Sequence, residues 1–373
     1  MSIRGQMTRL TDELHACAER LDRPASFMEV CGTHTVNACR SGVHSLMPAS
    51  IRLISGPGCP VCVTAQRYID ALIALGRRDD VTLTTYGDMM RVAGAGGSLE
   101  LARSEGADVR IVTSTMEAIE IARREPARQV VFAAVGFETT APATAAAVLA
   151  AKRRQLGNFT VLPCHKLVIP AMMTLLADPD VCIDGFLCPG HVSVIIGASA
   201  YRPVVEQHAR PCVVTGFEAL QIMEGILHLA RQLAAGQARL ENLYPQVVKD
   251  EGNPRARALI DEVFVPGDSA WRAIGMMKDS GLDLREEFAD LDAFRRFDIT
   301  LGEDHDPPGC RCGEVITGKC APADCPLFGD VCTPIYPVGP CMVSSEGSCQ
   351  AWFKYRRREL KRAAGRRPKE TIG

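Results

Sequence analysis

Between residues 50 and 235 the chain repeats one pattern: a short β-branched or apolar run, a turn containing Gly, Pro or Asn, then ten or more residues with apolar positions at helical spacing. A strand can be followed by a parallel neighbour only through a crossover of about a dozen residues, and a helix normally fills it. The alternation therefore predicts βαβ units and an α/β fold with mostly parallel sheets. Strands are expected at 50–55, 81–86, 109–113, 129–135, 159–163, 184–188 and 211–215, with helices at 64–76, 116–124, 141–155 and 218–235. Seven strands make one large sheet or two smaller ones. Gly-Phe-Glu recurs at 136–138 and 216–218, each time directly after a strand, which fits two related lobes.

From 236 to 300 the sequence reads as helical and polar, and acidic residues gather ahead of a cysteine-rich stretch, placing a domain edge near 290–308. The expected division is 1–115, an N-terminal helix and first α/β lobe; 116–290, a second α/β lobe; and 291–373, a small Cys-rich domain ending in the basic tail 354–370. A formal charge of −2 gives no global field for nucleic acid or an anionic membrane. No apolar run approaches the ~20 residues that cross a bilayer. The first residues read as an amphipathic helix rather than a leader, so the expected setting is the cytoplasm, where thiols stay reduced unless used.

Cysteine is the outlying residue type: seven of the 16 fall between 310 and 349. Elsewhere, Cys59 and Cys62 form a CxxC pair in GPGCPVC, between a predicted strand and a helix start, where backbone N–H groups favour a thiolate. That spacing lets the sulfurs close a disulfide or share one metal ion. A second motif, FMEVCGTHT, places Cys31 three residues before His34 in a polar turn. This pair is open to three readings: a nucleophile with its base, two metal ligands, or a redox thiol. The segment 307–349 has no sustained period, so it calls for a cross-linker or metal. It lacks the paired C-x2–4-C knuckles usual for zinc, which favours four thiolates around a [4Fe–4S] cluster.

Five further polar turns follow predicted strands: Tyr86-Gly87-Asp88, Gly136-Phe137-Glu138-Thr139-Thr140, Cys164-His165-Lys166, Pro189-Gly190-His191 and Gly216-Phe217-Glu218. Parallel sheets collect their sites at the carboxyl ends of strands, so these turns predict a polar crevice. No GxGxxG or P-loop pattern makes it a nucleotide site.

FMEVCGTHT, GPGCPVC, TYGDMMRV, GFETTAP, PGHVSVIIG and CTPIYPVGPCMVSSEGSC, in that order and over almost the full chain, resemble the HypD family of hydrogenase maturation factors. The resemblance implies two α/β lobes plus a [4Fe–4S] domain. It also implies a redox-active assembly scaffold, rather than a conventional turnover enzyme, on which the Fe(CN)2CO unit of [NiFe] hydrogenases is built. The implied partners are a HypC-type chaperone and the cyanide donor HypE, with the hydrogenase large subunit served indirectly. Residue by residue, it implies that Cys31 is the sulfur nearest the assembling iron and that Cys59 and Cys62 act as a dithiol/disulfide exchanging electrons with the cluster. The implied cluster ligands are Cys325, Cys332, Cys341 and Cys349. The sequence departs from the family pattern at 112–119, around His165 and Lys166, and at Ala93, while keeping every motif thiol. The chemistry agrees: iron carrying CO and CN⁻ is a soft centre suited to thiolates, and attaching such ligands requires electrons. The alternatives are a free-standing, cluster-dependent disulfide reductase and a zinc-stabilised binding protein.

Overall fold

A computed structural model describes residues 2–357; part of the basic tail lies outside the described residues. The strands are β1 (Ala25–Glu29), β2 (Ile51–Ser55), β3 (Val81–Thr85), β4 (Val109–Ile111), β5 (Gln129–Gly136), β6 (Phe159–His165), β7 (Gly185–Pro189), β8 (Cys212–Thr215), β9 (Leu240–Asn242), β10 (Phe264–Trp271) and β11 (Gly275–Leu284). Two parallel sheets form, one ordered β2-β1-β7-β8-β9 and the other β4-β3-β5-β6. All seven expected strands are present within a residue or two of their expected bounds. Nearly every residue of β1, β3, β5, β6 and β7 is buried, as expected of strands covered by helices on both faces.

The sheets do not divide at residue 115. The chain lays down β1 and β2, leaves to build all of the second sheet, and returns at Gly185 to pair β7 with β1 through Phe27, Met28 and Glu29. The first sheet is therefore discontinuous in sequence, the second being inserted between β2 and β7, and no local composition marks the crossing.

Residues 236–300 also depart from the helical expectation. After a helix at Pro254–Val263, β10 and β11 form an antiparallel hairpin. A register shift between Gly267 and Ser269 breaks the two-residue alternation, and interspersed Asp, Ser and Lys residues conceal what remains of it. The hairpin buries Trp271, Ser280 and Leu282 and crosses the molecule. Its second strand meets Lys166 through Gly281, and its first meets Thr64 through Trp271, beside the CxxC loop.

The Cys-rich segment is folded into short helices at Cys312–Ile316, Pro340–Val343 and Ser348–Tyr355. Its interior is not purely a matter of cross-linking. Cys312, Val315, Ile316, Cys332, Cys341, Met342, Val343 and Cys349 are buried in one apolar cluster with Met28, Val30 and the CxxC loop.

Candidate functional site

Strand ends supply the site. β1 runs into Val30 and Cys31, β2 into GPGCPVC, β3 into Tyr86–Asp88, β5 into Phe137–Thr140 and β7 into His191, because every strand of both sheets points its carboxyl end the same way within its sheet. Residues from all five turns, with Ser344, Ser345 and Glu346 of the Cys-rich segment, line a cavity of about 510 Å³. That size is typical of a ligand site and exceeds what a single ion fills. The expected crevice therefore exists, but two turns contribute differently. His165 and Lys166 are buried; Lys166 donates to Ser269 of the hairpin and lies 4.5 Å from the Tyr68 ring. Gly216 and Phe217 stand behind the wall.

Cys31 is the N-cap of the helix Gly32–Ser41. The helix-start backbone of His34 and Thr33 favours its thiolate, yet burial first and the Glu346 carboxylate second push the thiol up to about 11. At neutral pH it is protonated until a cation arrives; a coordinated thiol gives up its proton. The His34 side chain has another task. Its Nε2 donates to the Gly216 carbonyl at 2.9 Å, and burial lowers it to about 4, so the ring is neutral. His34 and His191 pack on Phe217, with centroids 4.6 and 3.9 Å away. The His34 backbone, rather than its ring, addresses Cys31.

Cys59 and Cys62 are joined as a disulfide, and the backbone N–H of Cys62 donates to the Cys59 sulfur at 3.2 Å. Both are buried, and it is their neighbours Gly58, Pro60 and Val61 that line the cavity. The loop lies directly on Cys31: a Cβ at Gly58 would fall 2.3 Å from the Cys31 nitrogen, and Gly32 N–H donates to the Gly58 carbonyl. Gly32 permits an equally close approach from the other side, where a Cβ would meet the Glu346 carbonyl oxygen at 2.4 Å.

Hydrogen bonds fasten the Cys-rich segment to this mouth. Asp88 accepts from the Ser344 hydroxyl, the Ser345 backbone and the Ser345 hydroxyl, and Thr33 donates to Glu346 at 2.8 Å. Ser344, Ser345 and Glu346 were not singled out by spacing; only the motif resemblance touched them. Cys31, His191, Asp88 and Glu346 line the same cavity and bring thiol, imidazole and carboxylate groups to it, although they are not gathered around one point.

A second thiol system lies behind it. The Cys312 and Cys341 sulfurs are 2.7 Å apart, with the Cys310 thiol beside Cys312 and the Cys349 thiol beside Cys341. Cys332 and Cys325 lie near enough to influence Cys349. Thus all four expected ligands gather in one region, joined by Cys310 and Cys312, whereas Cys320 lines a separate cavity with His44 and Trp352. Among the described residues no three His, Cys, Asp or Glu side chains are arranged to hold a metal ion. An all-sulfur neighbourhood of this kind nevertheless has the donor chemistry of an iron–sulfur cluster.

The fold and site define a class: a two-sheet α/β protein whose strand ends carry cysteine motifs, closed by a cysteine-rich module. The chain belongs to the HypD family, described as the hydrogenase formation hypA family, whose model matches residues 6–356. It is 44% identical to the hydrogenase maturation factor HypD of Escherichia coli strain K12, over 95% of this chain and 96% of that protein. The HypD factors of Rhizobium leguminosarum bv. viciae and Cupriavidus necator are 46% and 45% identical, covering 90% and 89% of this chain and 89% and 90% of theirs. Hydrogenase maturation is accordingly its function. No helix among the described residues is long and apolar enough to cross a membrane.

Proposed function

We propose that this protein is the redox-active scaffold on which the Fe(CN)2CO unit is assembled in the cytoplasm, together with a HypC-type chaperone and HypE as cyanide donor, before delivery to the hydrogenase large subunit. The observation that carries the reading is the contact of the CxxC loop with Cys31 through Gly58 at the wall of one donor-lined cavity. Iron is the substrate here: Cys31 holds it, while His191 and Glu346 offer further donors. Its thiolate is soft enough to bind the iron and, with the free thiol raised to about 11, basic enough to be reprotonated on release. Reduction of the Cys59–Cys62 disulfide to two thiols takes two electrons and two protons.

The module that begins at residue 291 holds the [4Fe–4S] cluster through Cys325, Cys332, Cys341 and Cys349, with Cys310 and Cys312 as adjoining thiols. When bound, the cluster supplies single electrons at low potential. The disulfide itself favours a second reading, a free-standing disulfide reductase. Infrared spectra of the chain co-purified with the chaperone separate the two. The scaffold gives CO and CN⁻ stretching bands that vanish in Cys31→Ala; bands persisting in that variant would remove Cys31 from its role, and their absence from the wild type would favour the reductase.

A further inference from the structure

The turn between β10 and β11 carries a buried cation, Arg272. Arg272 is 2% exposed. Its backbone N–H donates to the Val63 carbonyl at 2.8 Å and its Nε to the Thr64 carbonyl at 3.2 Å, so it grips the carboxyl end of the CxxC helix Pro60–Val63. Nη1 pairs at 3.0 Å with Asp306, which is about half exposed. Nη2 is buried and has no partner. A charged donor left unsatisfied in the interior is costly, so an acceptor is expected there.

The thiol system lies on that side. Ala273, next in the chain and in the left-handed region at φ +63°, packs so tightly on Gly313 that a Cβ there would be 2.2 Å from the Ala273 Cβ. Gly313 follows Cys312, whose sulfur contacts that of the assigned ligand Cys341. Asp306, the partner of the Arg272 guanidinium, lines one cavity with Ala273, Gly313 and Cys310.

We infer that Arg272 is a positioning residue that ties the Cys59–Cys62 loop to the cysteine-rich module and makes the cluster in that module easier to reduce; the inference rests on the cluster reading given above. The physical reason is direct. A cluster gains one negative charge on reduction, and cationic charge and N–H donors near its sulfurs stabilise the reduced form. Asp306 offsets part of that charge from the surface, where solvent screens it.

The test is an anaerobic redox titration of the full-length, cluster-loaded chain with dithionite as electron donor, followed by visible absorption and electron paramagnetic resonance. In Arg272→Gln the ratio of reduced to oxidised cluster at a fixed potential should fall about tenfold, equal to a midpoint ~59 mV lower for a one-electron couple. Asp306→Asn should move the midpoint the other way, by less, and most at low ionic strength. An Arg272→Gln protein with wild-type iron and sulfide content and an unchanged midpoint would overturn the inference and leave the scaffold reading intact. If that variant fails to fold or to hold a cluster, an unchanged Asp306→Asn midpoint overturns it instead. A wild-type chain that takes up no cluster defeats the reading itself, and the inference with it.

Discussion

At Cys31 two opposing effects meet, and their balance can be measured. Helix-start N–H groups favour the thiolate, but burial and Glu346 win, so the thiol range rises to about 11. Because only the thiolate alkylates, the rate of Cys31 modification by iodoacetamide should rise about tenfold per pH unit between pH 7 and 9, read by mass spectrometry of its peptide. A plateau below pH 8 would contradict this. Two residues earlier, Glu29 accepts from the Thr35 hydroxyl while its other oxygen has no partner, and burial raises it to about 8. For an acid whose folded value lies above its unfolded value, the native state binds the extra proton between pH ~4.5 and 8. Stability from this group is thus present at low pH and lost as pH rises through that window, by at most about 1.4 kcal/mol per unit. Glu29→Gln should flatten the fall in urea-unfolding free energy between pH 6 and 8; an unchanged slope would place the proton elsewhere. None of this is visible in sequence, where FMEVCGTHT shows a thiol near a histidine but not which of His34's two polar groups, ring or backbone, faces the sulfur.

Elements bring the motifs together, and here legibility was uneven. Strand–turn–helix alternation exposed the sheets and three of the five polar turns that reach the cavity's rim, because parallel strands deliver their carboxyl ends to one edge. The β10–β11 hairpin was hidden: its bulge breaks the period on which strand recognition depends. Close approach between elements was equally illegible, since a glycine in a loop does not announce its neighbour. Gly58→Ala tests this contact. With a Cβ 2.3 Å and 2.4 Å from the nitrogen and Cα of Cys31, backbone must move, at a cost of about 1–3 kcal/mol in urea unfolding. The infrared bands of the loaded scaffold should weaken in the same variant. Asp88→Ala removes three acceptor bonds that hold the Ser344–Glu346 turn. It should speed proteolytic cleavage within 334–347 while leaving cleavage elsewhere unchanged; equal protection would show that Thr33 and Glu346 suffice.

Across the whole molecule the cysteines separate into two systems that the chain order does not suggest. Sheet order explains how they meet: β1 and β2 place Cys31 and the CxxC loop side by side, and the Cys-rich module, last in sequence, lies against both. The return of the chain to the first sheet at Gly185 leaves no local trace, so a division by sequence position could not anticipate it. The hairpin bridges the second sheet to this thiol region. Such an architecture makes separable demands on single cysteines. Cys59 is bonded to Cys62 and stands apart from the Cys310–Cys312–Cys341–Cys349 chain of sulfurs. In Cys59→Ala, anaerobically prepared protein should therefore keep the brown colour and broad absorption near 400 nm of an iron–sulfur protein, yet fail to support hydrogenase maturation. Cys341→Ala and Cys349→Ala should bleach. Loss of colour in Cys59→Ala would move that sulfur into the ligand set and collapse the two systems into one, and a colourless wild type with stoichiometric zinc would remove the electron source altogether.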